Sequence, residues 1–417
     1  MTRRRFVAAL AAGLGVLVSA CLPGSTATPA EGTPTAPAPS PGSTSDPTAS
    51  LPPPSPSPGA TPTSTAAATA ALRRKIGRML VVGFRGTAPA SGEPFMQALS
   101  KGELGGVILF DRDTLTASVG RNISAPDQLG ALTDTLRSTA LRGAIGPRLL
   151  IAVDQEGGRV ARLNPGNGYP AVPSEAELGA ANDLTRTTDA AILTGITLAG
   201  AGIDFNLAPV VDLNVNPSNP AIGALERSFS ADAAIVVAHA SAVIEAQQGA
   251  GIKMAIKHFP GEGSATGNTD NGIVDVTSTW SPKELEPFRA LIAAGLPDAV
   301  MVGHIINGQI DADRPAALSR AVIDGVLRSE FGWRGVVISD DLQAPAITRQ
   351  YGEGESIALA IEAGVDLLLF ANQQVYDADI VEHVLAMVVD LVASGRISES
   401  RIDESVDRIE GLFSTVE

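Results

Sequence analysis

Eight short apolar runs recur between residues 71 and 417, at 79–84, 106–110, 149–153, 205–211, 254–258, 299–304, 336–339 and 365–370. Each is rich in Val, Ile and Leu and does not alternate with polar residues. That is the pattern of strands covered on both faces of a parallel sheet. Helix-like stretches separate them, at 126–141, 187–200, 231–248, 282–294, 321–331 and 354–363, and two more at 376–394 and 402–414 close the chain. Ser281-Pro282-Lys283-Glu284 reads as a helix start, with Ser as N-cap, Pro at N1 and Glu at N3. Eight β–α alternations in about 350 residues predict an α/β chain folded as a (β/α)8 TIM-type barrel. A doubly wound open sheet is the runner-up, because Gly261, Gly263 and Gly267 follow a strand like a dinucleotide loop; the third glycine, however, comes one residue late.

The barrel segment has a long preface. Arg3, Arg4 and Arg5 precede an apolar run from Ala8 to Val18, too short to span a bilayer, as in a signal peptide. The run ends Val18-Ser19-Ala20-Cys21, which resembles a bacterial lipobox with Cys21 as the lipidated residue, and Cys21 is the only cysteine in the chain. Residues 22–70 hold 13 of the 29 prolines, interleaved with Ser, Thr and Ala, and carry only Glu31 and Asp46 as charges. Such a stretch cannot bury enough apolar surface to offset its ordering entropy and reads as a disordered tether. The expected organisation is a leader over 1–20, a lipidated tether over 21–70 and a catalytic barrel over 71–417. The expected location is the outer side of the cell membrane, reached through lipid and not through a spanning helix.

Charge narrows the partners. With 30 basic and 45 acidic residues the net charge is −15, and loss of the three leader arginines leaves 27 against 45. A chain this acidic lacks the basic footprint that nucleic acid requires. One cysteine excludes a disulfide scaffold or a Cys-rich metal centre.

Polar and ionisable residues gather where the apolar runs end: Asp154, Asp212, Lys257-His258, His304, Asp340-Asp341 and Asn372. In a parallel barrel those are the C-terminal strand ends, where active sites form. His239 and His383 fall inside helical stretches and are expected to cap or face solvent. No H-E-x-x-H, G-x-S-x-G or P-loop pattern occurs, and neither a metal nor an organic cofactor is expected. What remains is a carboxylate nucleophile, a separate proton donor and charged groups suited to sugar hydroxyls, the equipment of a retaining glycosidase.

Four motifs carry a family resemblance. They are Val153-Asp154-Gln155-Glu156-Gly157-Gly158-Arg159-Val160, Glu226-Arg227-Ser228-Phe229, Lys257-His258-Phe259-Pro260-Gly261 and Gly335-Val336-Val337-Ile338-Ser339-Asp340-Asp341-Leu342. In that order and spacing the chain resembles glycoside hydrolase family 3, in its single-barrel β-N-acetylglucosaminidase branch. The resemblance implies removal of a terminal β-linked N-acetylglucosamine, often from cell-wall fragments. It implies Asp340 as nucleophile, and Asp154, Arg162, Arg227, Lys257 and His258 as the groups that bind sugar hydroxyls. Arg159 competes with Arg162 for its role, and Asp341 is expected to support the loop or nearby cations. A lysine and an arginine beside Asp340 would keep that carboxylate ionised.

The chain departs from the branch at one place. There the loop after the fifth strand ends Asp-Ser/Thr-His, with the His as general acid/base; here Asp270 holds the aspartate position, Gly272 stands where the His should be, and Glu262 replaces a further His. Three outcomes stay open. Asp270 or Glu262 serves as the acid; or the acid is missing and only good leaving groups depart; or the domain binds a wall sugar without turnover. A family-3 glycosidase of different sugar specificity is a further alternative.

Overall fold

The computed structural model describes residues 62–145 and 148–414. Cys21, the leader and most of the tether lie outside the described residues. All eight expected strands are present: β1 (Leu80–Gly83), β2 (Gly106–Ile108), β3 (Leu150–Val153), β4 (Phe205–Asn206), β5 (Lys253–Phe259), β6 (Ala299–Val302), β7 (Val336–Ser339) and β8 (Leu368–Phe370). Every neighbouring pair is parallel, in the order β7-β6-β5-β4-β3-β2-β1-β8. A parallel bridge from Ile338 to Leu367 closes the ring. The open doubly wound sheet is thereby excluded.

Burial explains the run pattern. Every residue of β1, β2, β3, β7 and β8 is buried, because helices cover the outside and side chains fill the inside. The helices fall close to expectation, including Pro126–Arg142, Leu184–Gly200, Ala233–Gln248, Glu353–Ala363, Ile380–Ala393 and Glu399–Gly411.

Three expectations need correction. A helix spans Pro62–Arg78, so residues 62–70, read above as the end of the tether, are helical. The reason lies in their composition: proline stops at Pro62 and an Ala-rich stretch of high helix propensity follows. The Ser281 cap also does not form. Pro282–Leu285 is a 3-10 turn without a side-chain cap, leading into a helix at Glu286–Ala293. Glu284 turns inward instead, where it is fully buried and accepts the Ser264 N–H at 3.2 Å. Finally, His239 neither caps nor faces solvent: it is fully buried, 2.8 Å from Thr187 Oγ1 and stacked on Phe229. His383 does stay exposed, paired with Asp377 at 2.6 Å.

Acids occupy both ends of the barrel, but they do different things. At the N-terminal ends, Asp204, Asp298 and Asp366 each accept the backbone N–H of an adjoining strand, from Ile151, Met254 and Val337, at 2.8–3.0 Å. Each also meets a cation: Arg137, Lys253 and Arg328 respectively. Those pairs fasten strand to strand. The groups at the C-terminal ends surround a cavity instead.

Candidate active site

That cavity measures about 560 Å³ and opens at the C-terminal ends of the strands. Asp154, Arg162, Arg227, Lys257, His258, Glu262, Asp270 and Asp340, every residue given a catalytic or sugar-binding role from the sequence, line it, whereas Asp212, His304 and Asn372 do not. Glu156 and Asp341 line it too.

One wall is a buried charge network. Lys257, on β5, places Nζ 2.8 Å from Asp154 Oδ1 and 2.7 Å from Glu156 Oε1. Glu156 takes Arg227 in a two-pronged grip, Nε at 2.7 Å and Nη2 at 2.8 Å. Asp154, just after β3, also meets Arg162 Nη2 at 3.4 Å, and Arg162 lies over the Phe110 ring. Arg159 remains 60% exposed, 3.9 Å from Glu226, so Arg162 is the arginine placed against Asp154. Burial alone would raise the Glu156 carboxyl, but Arg227 and Lys257 outweigh it and hold the group at about 2. Asp154 is likewise held low: Lys257 and Arg162 overcome its burial. Burial would neutralise Lys257, yet Asp154 and Glu156 keep it charged.

These cations are therefore committed. The expectation that Lys257 and Arg227 stand beside Asp340 is corrected: among the described residues no cation lies within ion-pair distance of the Asp340 carboxylate. The β3 hairpin claims them first, because Glu156 projects from Gln155–Gly157 straight at both. Asp340 follows β7 and is anchored by its backbone, which donates to Val302 O on β6 at 3.0 Å; its Oδ1 accepts the Asp341 N–H at 2.7 Å. It is half-buried, with its carboxylate on the cavity. Asp341 supports the loop, accepting the Gln343 and Ala371 N–H groups; burial, despite those bonds, pushes its carboxyl up to about 7. His304 sits behind it, its Nε2 donating to Asp341 O at 2.9 Å.

Adjoining this network, behind the cavity wall, is Asp212, which the sequence marked only as a strand end. Asp212 is fully buried and accepts three donors: His258 N at 3.1 Å, His258 Nδ1 at 2.7 Å and Glu262 N at 2.9 Å. The intervening turn needs its glycines. Gly261 has φ +102°, and a Cβ at Gly263 would fall 1.7 Å from Leu213 O. Gly-Glu-Gly is thus a tight wrap that aims Glu262 at the cavity, not a dinucleotide loop.

Further along, Asp270 lies at the exposed lip, where the crowding of the wall and the Asp340 charge push its carboxyl upward. Gly272 leaves room that Arg349 partly fills; a Cβ there would lie 3.0 Å from Arg349 Nη1. Thr269 O accepts the Ala346 N–H at 3.2 Å, tying this loop to the segment after β7.

Asp212, His258 and Glu262 are the one group found among the described residues whose ligand atoms come close enough together to hold a metal ion. The chemistry disfavours it. Arg227 Nη2 lies 3.3 Å from His258 Nε2, and a guanidinium can only donate. The imidazole proton therefore sits on Nδ1, the atom that a metal would need. The trio shares protons and is a poor cation cage.

Sequence reasoning missed two site residues. Glu156 lay inside a recognised motif, and Asp212 ended a strand, but neither spacing reveals that one clamps Arg227 and the other orients His258.

Comparison with known proteins agrees with this arrangement. The glycosyl hydrolase family 3 N-terminal domain matches residues 71–412. The chain is 38% identical over 276 residues to a protein named β-hexosaminidase from Tolumonas auensis, covering 65% of this chain and 76% of that one. It superposes on a family-3 β-N-acetylglucosaminidase from Paenibacillus with a TM-score of 0.74 and 36% identity, covering 82% of this chain and 62% of that longer one. A β-N-acetylhexosaminidase from Beutenbergia cavernae gives a TM-score of 0.72 and 31% identity, over 82% of this chain and 97% of that one. With a closed parallel barrel, a charged cavity at its C-terminal mouth and a profile match across nearly the whole barrel, this chain belongs to glycoside hydrolase family 3.

Proposed function

We propose that the protein is a retaining glycoside hydrolase that removes terminal β-linked N-acetylglucosamine, or a closely related amino sugar, from cell-wall-type glycans. One observation carries this reading. Asp340 faces a cavity whose buried cations, Lys257 and Arg227, are already bound to Asp154 and Glu156, leaving a carboxylate free to attack an anomeric carbon.

The chemistry proceeds in two displacements. An Asp340 oxygen bonds to the anomeric carbon as the glycosidic bond breaks and a carboxylic acid protonates the departing oxygen. Water then attacks the glycosyl ester, giving its proton to the same carboxylate and freeing Asp340. Asp154, Lys257 and Arg162 form a rim of fixed donors and acceptors suited to sugar hydroxyls, and their mutual ion pairs hold them in place beforehand. The N-acetyl preference draws support from relatives named β-hexosaminidase and β-N-acetylglucosaminidase. The leader, the cysteine at 21 and the proline-rich spacer support an exported lipoprotein.

A 5-fluoro N-acetylglucosaminyl trap, or a 2-deoxy-2-fluoro glycosyl trap that lacks the acetamido group, tests the reaction. Mass spectrometry of the full chain should find the label on Asp340. Sugar binding with neither an adduct nor hydrolysis would show a carbohydrate-binding protein instead.

A further inference from the structure

We propose that Glu262 is the proton donor of this site, held in place by the Asp212–His258 pair, and that the donor has moved from the loop after β5 to its first turn. The proposal rests on the retaining reaction above.

The first argument is the location of the proton. Glu262 is 95% buried and lines the cavity, and its carboxyl accepts no hydrogen bond among the described residues; His258 Nδ1 lies 3.5 Å from its Oε1. A buried carboxyl without donors favours its neutral form. The imidazole could take the proton instead. Arg227 Nη2 faces Nε2 at 3.3 Å and disfavours a proton there, and the Nδ1 proton is donated to Asp212; despite burial, the Glu262 and Asp212 carboxylates pull the imidazole pKa upward, so His258 and Glu262 compete for the further proton. On Glu262 that proton sits on a carboxyl that lines the cavity. The charges facing it agree. Burial raises its carboxyl to about 7, with Asp212 and Asp340 adding to the rise and His258 and Arg227 opposing it.

The second argument is position. Glu262 leans across Gly303, the residue after β6, so that a Cβ there would lie 3.4 Å from Glu262 Oε2. Asp340 is bonded by its backbone to β6 from the other side, at Val302. Both residues line the same cavity, and the Asp340 charge is close enough to act on the Glu262 carboxyl. Retaining enzymes place their two carboxyl groups about 5–5.5 Å apart, close enough to serve both sides of one bond. Asp270 is the competing acid. It sits at the exposed lip, fixed only through its backbone N–H to Asn268.

Atoms and charges balance. The Glu262 proton passes to the glycosidic oxygen as the bond to the anomeric carbon breaks, leaving a carboxylate. That carboxylate then takes a proton from the water that hydrolyses the Asp340 ester. His258 and Asp212 are positioning residues: Asp212 accepts both the Glu262 backbone N–H and the imidazole N–H, and so fixes the turn against the ring.

The test compares aryl N-acetylglucosaminides of differing leaving-group pKa in the full chain, in Glu262→Gln and in Asp270→Asn. Glu262→Gln should form the Asp340 ester from a dinitrophenyl glycoside nearly as fast as the parent and then stall, because the same carboxylate activates the water, and it should lose about 10²–10⁴-fold on a phenyl or alkyl glycoside. Azide should restore turnover in Glu262→Gln and yield the β-glycosyl azide. The unmodified protein offers a second readout: its dependence on leaving group should steepen as pH rises through about 7. An unchanged dependence in Glu262→Gln, or the same steepening in Asp270→Asn, overturns the assignment. If Asp340 is labelled by a fluorosugar in either of those cases, only the donor is wrong. If the unmodified protein neither labels nor hydrolyses the dinitrophenyl glycoside, the reaction and its donor fail together.

Discussion

Glu156 holds Arg227 through two near-parallel hydrogen bonds, 2.7 and 2.8 Å long, although 71 residues separate them in the chain. The carboxylate is only 1% exposed and also takes Lys257 at 2.7 Å. One buried anion thus binds two buried cations, with Asp154 supplying the second negative charge, and fixes the wall of the cavity.

Removing that anion should cost more than the pair contributes, because it strands charge in a low dielectric. Glu156→Ala is expected to destabilise the barrel by about 3–5 kcal/mol in denaturant unfolding. Glu156→Gln, which keeps the shape, should lose less stability and raise KM for the sugar.

Asp340→Asn should leave the fold intact, since Asp340 forms no ion pair and its backbone bond to Val302 survives the change. Hydrolysis of the aryl glycoside should fall by about 10⁴–10⁶-fold, the scale on which loss of a covalent nucleophile registers. Matching thermal melts beside the kinetics would separate this from unfolding.

Glu284 makes stability depend on pH. It is fully buried beneath the Glu262 turn, one oxygen bonded to Ser264 N and the other without a partner, and burial lifts its carboxyl from 4.5 to about 7. The folded state holds a proton that the unfolded chain releases earlier. Its advantage is complete below about 4.5 and is lost as pH rises through about 7. Glu284→Gln, uncharged throughout, should therefore gain on the parent protein by up to about 3 kcal/mol between pH 4 and pH 8. Glu262 and Asp341 titrate in the same window but cancel in this difference. Urea unfolding at both pH values measures it.

Cys21→Ser should release the protein from the membrane fraction if lipid holds it there. Cell fractionation and metabolic labelling with a fatty acid would report the change, while the activity of the barrel should persist. Retention of the variant in membranes would point to a different anchor.

Much of the barrel is legible in the sequence because its strands are buried on both faces, and such burial writes an uninterrupted apolar run. Val336–Ser339 followed by Asp340 is read at once as a strand with an acid at its mouth. The helix from Pro62 is less legible, since an Ala-rich stretch after proline-rich sequence has no amphipathic pattern to announce it. The Ser281 cap misleads for another reason: Glu284 satisfies Ser264 across the fold instead of capping its own helix.

The amino-acid order by itself determined the eight-fold alternation, the end of the barrel that carries chemistry and the identity of the carboxylate at β7, because these follow from local periodicity and strand polarity. Only the folded chain decided which charges pair. Arg227 could have steadied Asp340 but is held by Glu156, and Arg227 meets one ring nitrogen of His258 while Asp212 meets the other. Such choices depend on side-chain approach within a few ångströms between segments far apart in sequence, where a single hydrogen-bond direction outweighs any pattern along the chain.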